Sequence, residues 1–511
     1  MSLVAWTRTD SSQSSAQSHI TLKQQIKRFV IRRILADDPE DASLAALDLA
    51  KLRFRDQQIE QRFRAHYFPK AIKANRSFLG VTFIVSVLYL LWHVLNKTAQ
   101  YDYYALPIVH AVALVFFFAA TFFHRLPCYH CQRWEAYRVW VVCMATFLAK
   151  PIYNHIYDLT HIDNLGAVPE NLRALVYLGS SAYLFIFGPF GWITGTIGPL
   201  IVCGVTYIMG WMVVILISEH DRLQHFTWHI VSLYSGLLTG FLLAYRKEVY
   251  HRRSFWLKEK LGMQDGTYAG IHFSNKSHRQ GLSKREQWVA WLKRAILLQD
   301  PDPARRHKFG QFLTRQSVGQ SQTSIVIVTV SIILGVIQDI GNPAVPTLEL
   351  LLRGILIPIL LVILAVLKRL IKGEVLSNMV SVFALLVVVA TGGYLATFWR
   401  SDRGRFDRAG YLVSQVAVAV CISAGFRYTT SLVMYIVFTI QAAVLTFYFE
   451  FASQTYLIDT SAVFLAICIF LHSYEKLLFL YYEMEQCFKH QHQSAANLGI
   501  SESLSVRQSR I

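Results

Sequence analysis

The sequence predicts an all-α polytopic membrane protein with about 12 transmembrane helices, built as two tandem six-helix bundles in a parallel repeat. Three observations lead there. The 511 residues are 54% apolar and 14% aromatic but only 16% charged, well below the roughly 25% usual in soluble domains. Apolar runs of about 17 to 25 residues, long enough to cross a bilayer, fall six on each side of a basic middle segment. A short upstream motif occurs twice, once before each set of six.

Taken in order, residues 1–20 are rich in Ser and Gln and are expected to be disordered. They contain no apolar core of the kind a cleavable signal needs, so none is expected. Residues 21–77 read as cytoplasmic lead-in helices, with Phe54, Ile59 and Phe63 near one face of an amphipathic segment. The first bundle, 78–245, holds predicted spans at 78–95, 104–123, 137–155, 172–190, 193–217 and 225–245. A basic cytoplasmic linker, 246–322, opens with the segment from Tyr245 to Leu261, which reads as a span running on into the cytoplasm as an exit helix. The second bundle, 323–480, holds predicted spans at 323–339, 354–371, 375–399, 410–425, 430–449 and 456–480, and a cytoplasmic tail follows at 481–511.

The formal charge is +18. Residues 1–77 hold 14 basic and 8 acidic residues and 246–322 hold 16 and 6, so these two segments supply 16 of the 18 net charges. Basic residues gathered beside spans are held on the cytoplasmic side and face anionic lipid headgroups, so no nucleic-acid partner is expected. With the N-terminus inside, Arg125, Arg133, Lys368, Arg369, Lys372 and Arg427 join the linker and tail in the cytoplasm. Asp158, Asp163, Glu170, Glu349 and Glu450 fall outside, and the loop with Arg400, Arg403, Arg405 and Arg408 runs against the trend. The protein is therefore expected to be integral and multi-pass with both termini cytoplasmic, the plasma membrane being favoured.

The upstream motif runs without a gap. Arg32, Ile34, Leu35, Asp38, Pro39 and Ala42 match Arg294, Ile296, Leu297, Asp300, Pro301 and Ala304, six identities in fourteen positions. An even number of spans between the copies keeps both on one side, hence a parallel repeat.

Gly191 with Gly195, and Gly236 with Gly240, carry the spacing that lets spans approach closely. Cys128 and Cys131 stand in a cytoplasmic loop next to the membrane; reversible lipidation is the chemical candidate, against zinc binding with His124 and His130 or plain reduced thiols. None of the seven cysteines falls in an outward loop, so no external disulfide framework is expected. His110, His229 and Glu475 lie deep enough in predicted spans to be candidates for a polar path. No Gly-rich phosphate loop, His-Glu-x-x-His or Gly-x-Ser-x-Gly occurs. No soluble segment exceeds about 80 residues, against the usual 100 to 150 of a domain. No catalytic residue, metal or cofactor is expected.

Glu248-x-x-x-Arg252-x-x-Phe255, after the sixth predicted span, resembles the start of the helix that leads from the six-span membrane region of class III adenylyl and guanylyl cyclases toward their catalytic domain. Phe54-x-Asp56-x-x-Ile59-Glu60-x-x-Phe63 is similar to the segment before the first span in such proteins, and Ser423-Ala-Gly-Phe-Arg-Tyr428 to their short Arg-aromatic turn. The second exit departs from the pattern, because Glu483 is followed by Cys487 and His490 where arginine and phenylalanine belong. The linker is too short for a cyclase domain, and none of that domain's metal-binding aspartates is present. The resemblance implies a receptor, regulator or assembly module without the enzyme, in which span packing is transmitted to the exit helix. Val249, Phe255 and Trp256 would then meet a partner helix, from a cytoplasmic signalling protein, a true cyclase or a second copy in a dimer. Two other readings stand beside it: a secondary transporter with two six-span halves, and a truncated copy of a longer cyclase.

Overall fold

Asp56 starts a helix. Its carboxylate Oδ1 accepts the backbone N–H of Gln58 at 2.8 Å and of Ile59 at 3.4 Å, so two of the donors that every helix leaves unpaired at its start are satisfied. In the computed structural model the resulting helix covers 57–67. The structure describes residues 42–49, 52–67, 245–262, 303–316, 347–370 and 454–497, with isolated positions at 283, 285, 288–289, 333, 336–337, 340, 376, 379, 428, 432–433, 436–437, 439–440 and 443–444. The predicted spans at 78–95, 104–123, 137–155, 172–190, 193–217 and 410–425 lie outside the described residues.

The described residues are mostly helical, with one feature that the helical expectation for 21–77 lacks. A single turn of helix, Ala42–Ala45, leads into an antiparallel pair of two-residue strands, β1 (Leu47–Asp48) and β2 (Arg53–Phe54). Leu47 faces Phe54 and Asp48 faces Arg53. Leu52, the residue before β2, is left-handed at φ 50°. That conformation is unfavourable for leucine. Leu52 is only 2% exposed, as are Leu44, Leu47 and Phe54 to within a few per cent, so side-chain burial offsets the backbone strain.

Four helices meet around this hairpin. The 57–67 helix lies antiparallel to 245–260: Arg62 bonds Glu259 at 2.8 Å, the Phe63 ring meets Phe255 at 5.4 Å, and Tyr67 meets His251 at 4.8 Å. The 245–260 helix ends where Gly262, at φ 63°, lets its N–H bond the carbonyl of Glu259. The long helix Gln454–Asn497 has 44 residues, about 66 Å at the usual rise, and runs without a break through the predicted boundary at 480. It lies parallel to 245–260, since Tyr250 meets Tyr474 and Tyr481 while Trp256 meets Phe488 further along. The fourth helix, 303–316, sets Phe309 against Phe479 and Tyr482.

Elsewhere, Thr347–Leu351, a π-helical turn Leu352–Leu356 and Ile357–Leu370 form one continuous helical run over the predicted eighth span. Gly354 allows close approach there: a Cβ on it would sit 3.1 Å from Val336 Cγ1, in the predicted seventh span. No helix among the described residues is long and apolar enough to cross a membrane.

Candidate functional site

Two consecutive arginines on one helix reach different neighbours because adjacent helical positions point about 100° apart. Arg252 and Arg253 are 0% and 1% exposed, and each is held by a separate part of the chain.

Arg252 faces the N-terminal elements. Its Nη1 donates to Glu60 Oε2 and its Nε to Glu248 Oε1 at 3.2 Å. The guanidinium lies 4.4 Å from the Phe63 ring centroid and 5.7 Å from that of Phe54, which adds cation–π attraction in a desolvated setting. Glu60 is shared further: Oε2 accepts the Phe54 backbone N–H at 2.8 Å, and Oε1 accepts Arg64 Nε at 2.9 Å. One carboxylate therefore ties β2, the 57–67 helix and the 245–260 helix together. Phe54, Phe63 and Phe255 close over it, with ring centroids 5.4 to 6.1 Å apart. Arg252 Nη2 is buried and makes no hydrogen bond among the described residues.

Arg253 joins the Ala42–Ala45 turn to the long helix Gln454–Asn497. Its Nε donates to Ser43 Oγ at 2.9 Å, and its Nη2 donates to the Tyr481 hydroxyl. The same guanidinium lies 4.4 Å from the Tyr481 ring centroid and 5.3 Å from that of Tyr250. Tyr250 in turn donates to Gln316 Oε1 at 2.7 Å, and Arg246 Nη2 reaches the Gln316 carbonyl oxygen at 3.5 Å. Tyr245 donates to the Leu49 carbonyl at 2.9 Å. The 245–260 helix is thus gripped by the 42–54 segment, the 57–67 helix, the 303–316 helix and the long helix Gln454–Asn497.

Burial shifts the titration of its ionisable groups. Desolvation pushes the Glu248 carboxyl up, partly opposed by the Arg252 charge and hydrogen bond. Desolvation lowers the half-buried Lys247 ammonium to about 8, opposed by Glu248. Tyr67 is raised by burial first and by the Glu248 charge second.

The structure brings together Phe54, Glu60 and Phe63 with Glu248, Arg252 and Phe255, and it uses Asp56 as the helix cap. Val249, Phe255 and Trp256, the face expected to meet a partner helix, are buried within the chain itself. Glu475 is 7% exposed and accepts the backbone N–H of Tyr428, whose ring lies 4.8 Å from His472. His110 and His229 lie outside the described residues, as do Gly191, Gly195, Gly236, Gly240, Cys128 and Cys131. Arg253, Tyr481, Ser43, Tyr250 and Gln316 carry no motif that singles them out in the sequence. The available signal was the seven-residue spacing of Tyr474, Tyr481 and Phe488, the period of a helix-pairing seam.

The described residues contain no group of three metal-binding side chains. The arrangement is mechanical: charged groups are spent on joining helices. No family model, no curated protein and no solved structure matches the chain.

Proposed function

We propose that the chain is a multi-pass membrane receptor or regulator, similar in plan to the membrane region of class III cyclases, whose span packing is transmitted to a cytoplasmic helix bundle. The observation that carries this reading is the buried Glu60–Arg252–Glu248 network, which fastens the segment before the first predicted span to the segment after the sixth. Movement of the first bundle relative to its flanks has to pass through that network. A buried ion network tolerates few intermediate geometries, because a separated charge at such a site is costly. That favours discrete packing states, which a ligand selects if it binds them with different affinity.

Membrane embedding is supported by the side chains on the 347–370 run. Ile355, Leu356, Ile359, Val362, Ile363 and Val366 are about half exposed, and an apolar face of that extent calls for a lipid or protein cover. Outputs are expected to reach a cytoplasmic signalling partner through surfaces other than Val249, Phe255 and Trp256, which the chain fills itself.

The test places spin labels at Arg62 and Glu259, an ion pair on the bundle surface, in the full chain reconstituted into vesicles. Two distance populations whose ratio changes with lipid composition or with native-membrane extract are expected. One invariant distance under all conditions, together with solute flux into the vesicles, overturns this reading in favour of a transporter.

A further inference from the structure

The 303–316 helix has two unlike faces. Phe309 and Leu313 are buried, Phe309 and Phe312 pack on the long helix Gln454–Asn497, and Gln316 accepts the Tyr250 hydroxyl. Arg305, His307, Lys308, Gln311 and Arg315 are exposed. At 100° per residue these five fall within one half of the helix circumference, and no residue from 303 to 316 is acidic. Glu483 of the long helix approaches Arg305 at 3.9 Å, but that arginine side chain stays 59% exposed, so the pair neutralises little of the cationic face.

The contacts of residues 305–312 all fall on 479–483 of the long helix and do not advance along it. Arg305 reaches Glu483, Phe309 meets Phe479 and Tyr482, and Phe312 meets Tyr481 and Tyr482. Two full turns of the short helix therefore rest on little more than one turn of the long one, so the short helix lies across it instead of alongside. Further on, Gln316 sits beside Arg246 and Tyr250 of the 245–260 helix. The predicted sixth span ends at 245 and the predicted twelfth at 480. The short helix thus crosses both exit helices at the level where they would leave a bilayer, which places its cationic face at headgroup depth.

We propose that Arg305, Lys308 and Arg315 form a binding face for anionic lipid headgroups on the cytoplasmic side of the membrane. This rests on the membrane reading above and adds to it a lipid contact on a defined helix. Guanidinium and ammonium groups take phosphate and carboxylate oxygens through charge-assisted hydrogen bonds, and the attraction acts only within a Debye length of the surface. Because Gln316 of the same helix holds Tyr250 and Arg246, a lipid bound here bears directly on the packing of the exit helix.

The experiment replaces Gln311, an exposed residue amid the three cations, with the photo-crosslinker benzoylphenylalanine in the full chain, and separately replaces Ile359, an exposed residue of the predicted eighth span. Each protein is reconstituted into vesicles of phosphatidylcholine alone or mixed with phosphatidylserine, and adducts are identified by mass spectrometry. Lipid adducts at 311 are expected, enriched in phosphatidylserine beyond its share of the vesicle and less so at high salt. Lys308→Gln with Arg315→Gln lowers that enrichment, by about fivefold for each cation removed, while Lys308→Arg with Arg315→Lys keeps it. Adducts at 311 that follow the vesicle composition without enrichment overturn the proposal. Lipid adducts at 359 with none at 311 also overturn it and leave the membrane reading standing. Adducts at 311 to a second copy of the chain overturn it in favour of a protein interface. Absence of lipid adducts at both positions overturns the membrane reading, and the proposal with it.

Discussion

Arg252 donates a hydrogen bond to Glu60, a residue 192 positions earlier in the chain, at a place where the arginine is fully buried. Removing one partner of a buried ion pair leaves the other uncompensated, which costs about 3–5 kcal/mol. Glu60→Gln is therefore expected to destabilise the full chain by that order, read as a lower melting temperature in detergent. Replacing all three buried members of the network, Glu60→Met with Arg252→Leu and Glu248→Leu, recovers part of the loss, since none of its charges then remains to be desolvated. Arg252→Lys does not substitute, because a single ammonium cannot present the two directed donors that reach Glu60 and Glu248.

Tyr481→Phe removes one hydroxyl and keeps the ring. Arg253 then loses its partner on the terminal helix, at a cost of about 1–3 kcal/mol for a buried donor, while the cation–π contact at 4.4 Å remains. The consequence is local: the parallel pair loosens. Cysteines placed at Trp256 and Phe488, whose rings are 5.7 Å apart, are expected to be joined readily by a short bismaleimide crosslinker in the parent and more slowly in the Tyr481→Phe background. Equal rates would show that the hydroxyl does not hold the two helices in register.

The two halves of the Arg252 network were visible in the sequence because each has its own short spacing: Glu248 and Arg252 are one helical turn apart, and Phe54, Asp56, Glu60 and Phe63 follow the pattern of a capped helix. That they meet is a long-range fact with no local mark, and only the likeness to a cyclase membrane region suggested that both mattered. Arg253 was hidden for a different reason. Beside Arg252, in a segment with 16 basic residues, it reads as one more solvated cation, and only the packing of Tyr481 and Ser43 around it shows otherwise. The hairpin at Leu47–Phe54 is obscured because Ala42-Ser-Leu-Ala-Ala-Leu47 favours helix, and the left-handed residue before β2 is a leucine rather than glycine or asparagine. The predicted spans of the first bundle, apart from Tyr245, lie outside the described residues, so their number and order rest on the sequence.

Lys247 titrates at about 8 in the folded protein, below the ordinary 10.5. Between those values the unfolded chain holds the proton that the folded chain has released, so stability rises with pH across that window. Below about 8 both states are protonated and the burial penalty is present in full. Lys247→Met is therefore expected to be more stable than the parent at pH 7, and the difference narrows as pH rises toward 10.5. Melting curves of both proteins across this range provide the measurement; a constant difference would show that the ammonium is solvated in the folded state.

Gly354 tests the packing of the second half. A methyl group there meets Val336 Cγ1 at 3.1 Å, a contact that a valine side chain relieves by moving a few tenths of an ångström. Alanine also gains about 1 kcal/mol of helix propensity over glycine, so Gly354→Ala is expected to be near neutral. A branched side chain has no such escape. Gly354→Val adds two further methyl groups at the contact and is expected to cost about 1–3 kcal/mol, the range for overpacking a closed interface. If Val336→Ala restores the melting temperature of Gly354→Val, the two helices touch at this pair. If it does not, the close approach of the 336 and 354 segments is not what sets the stability there.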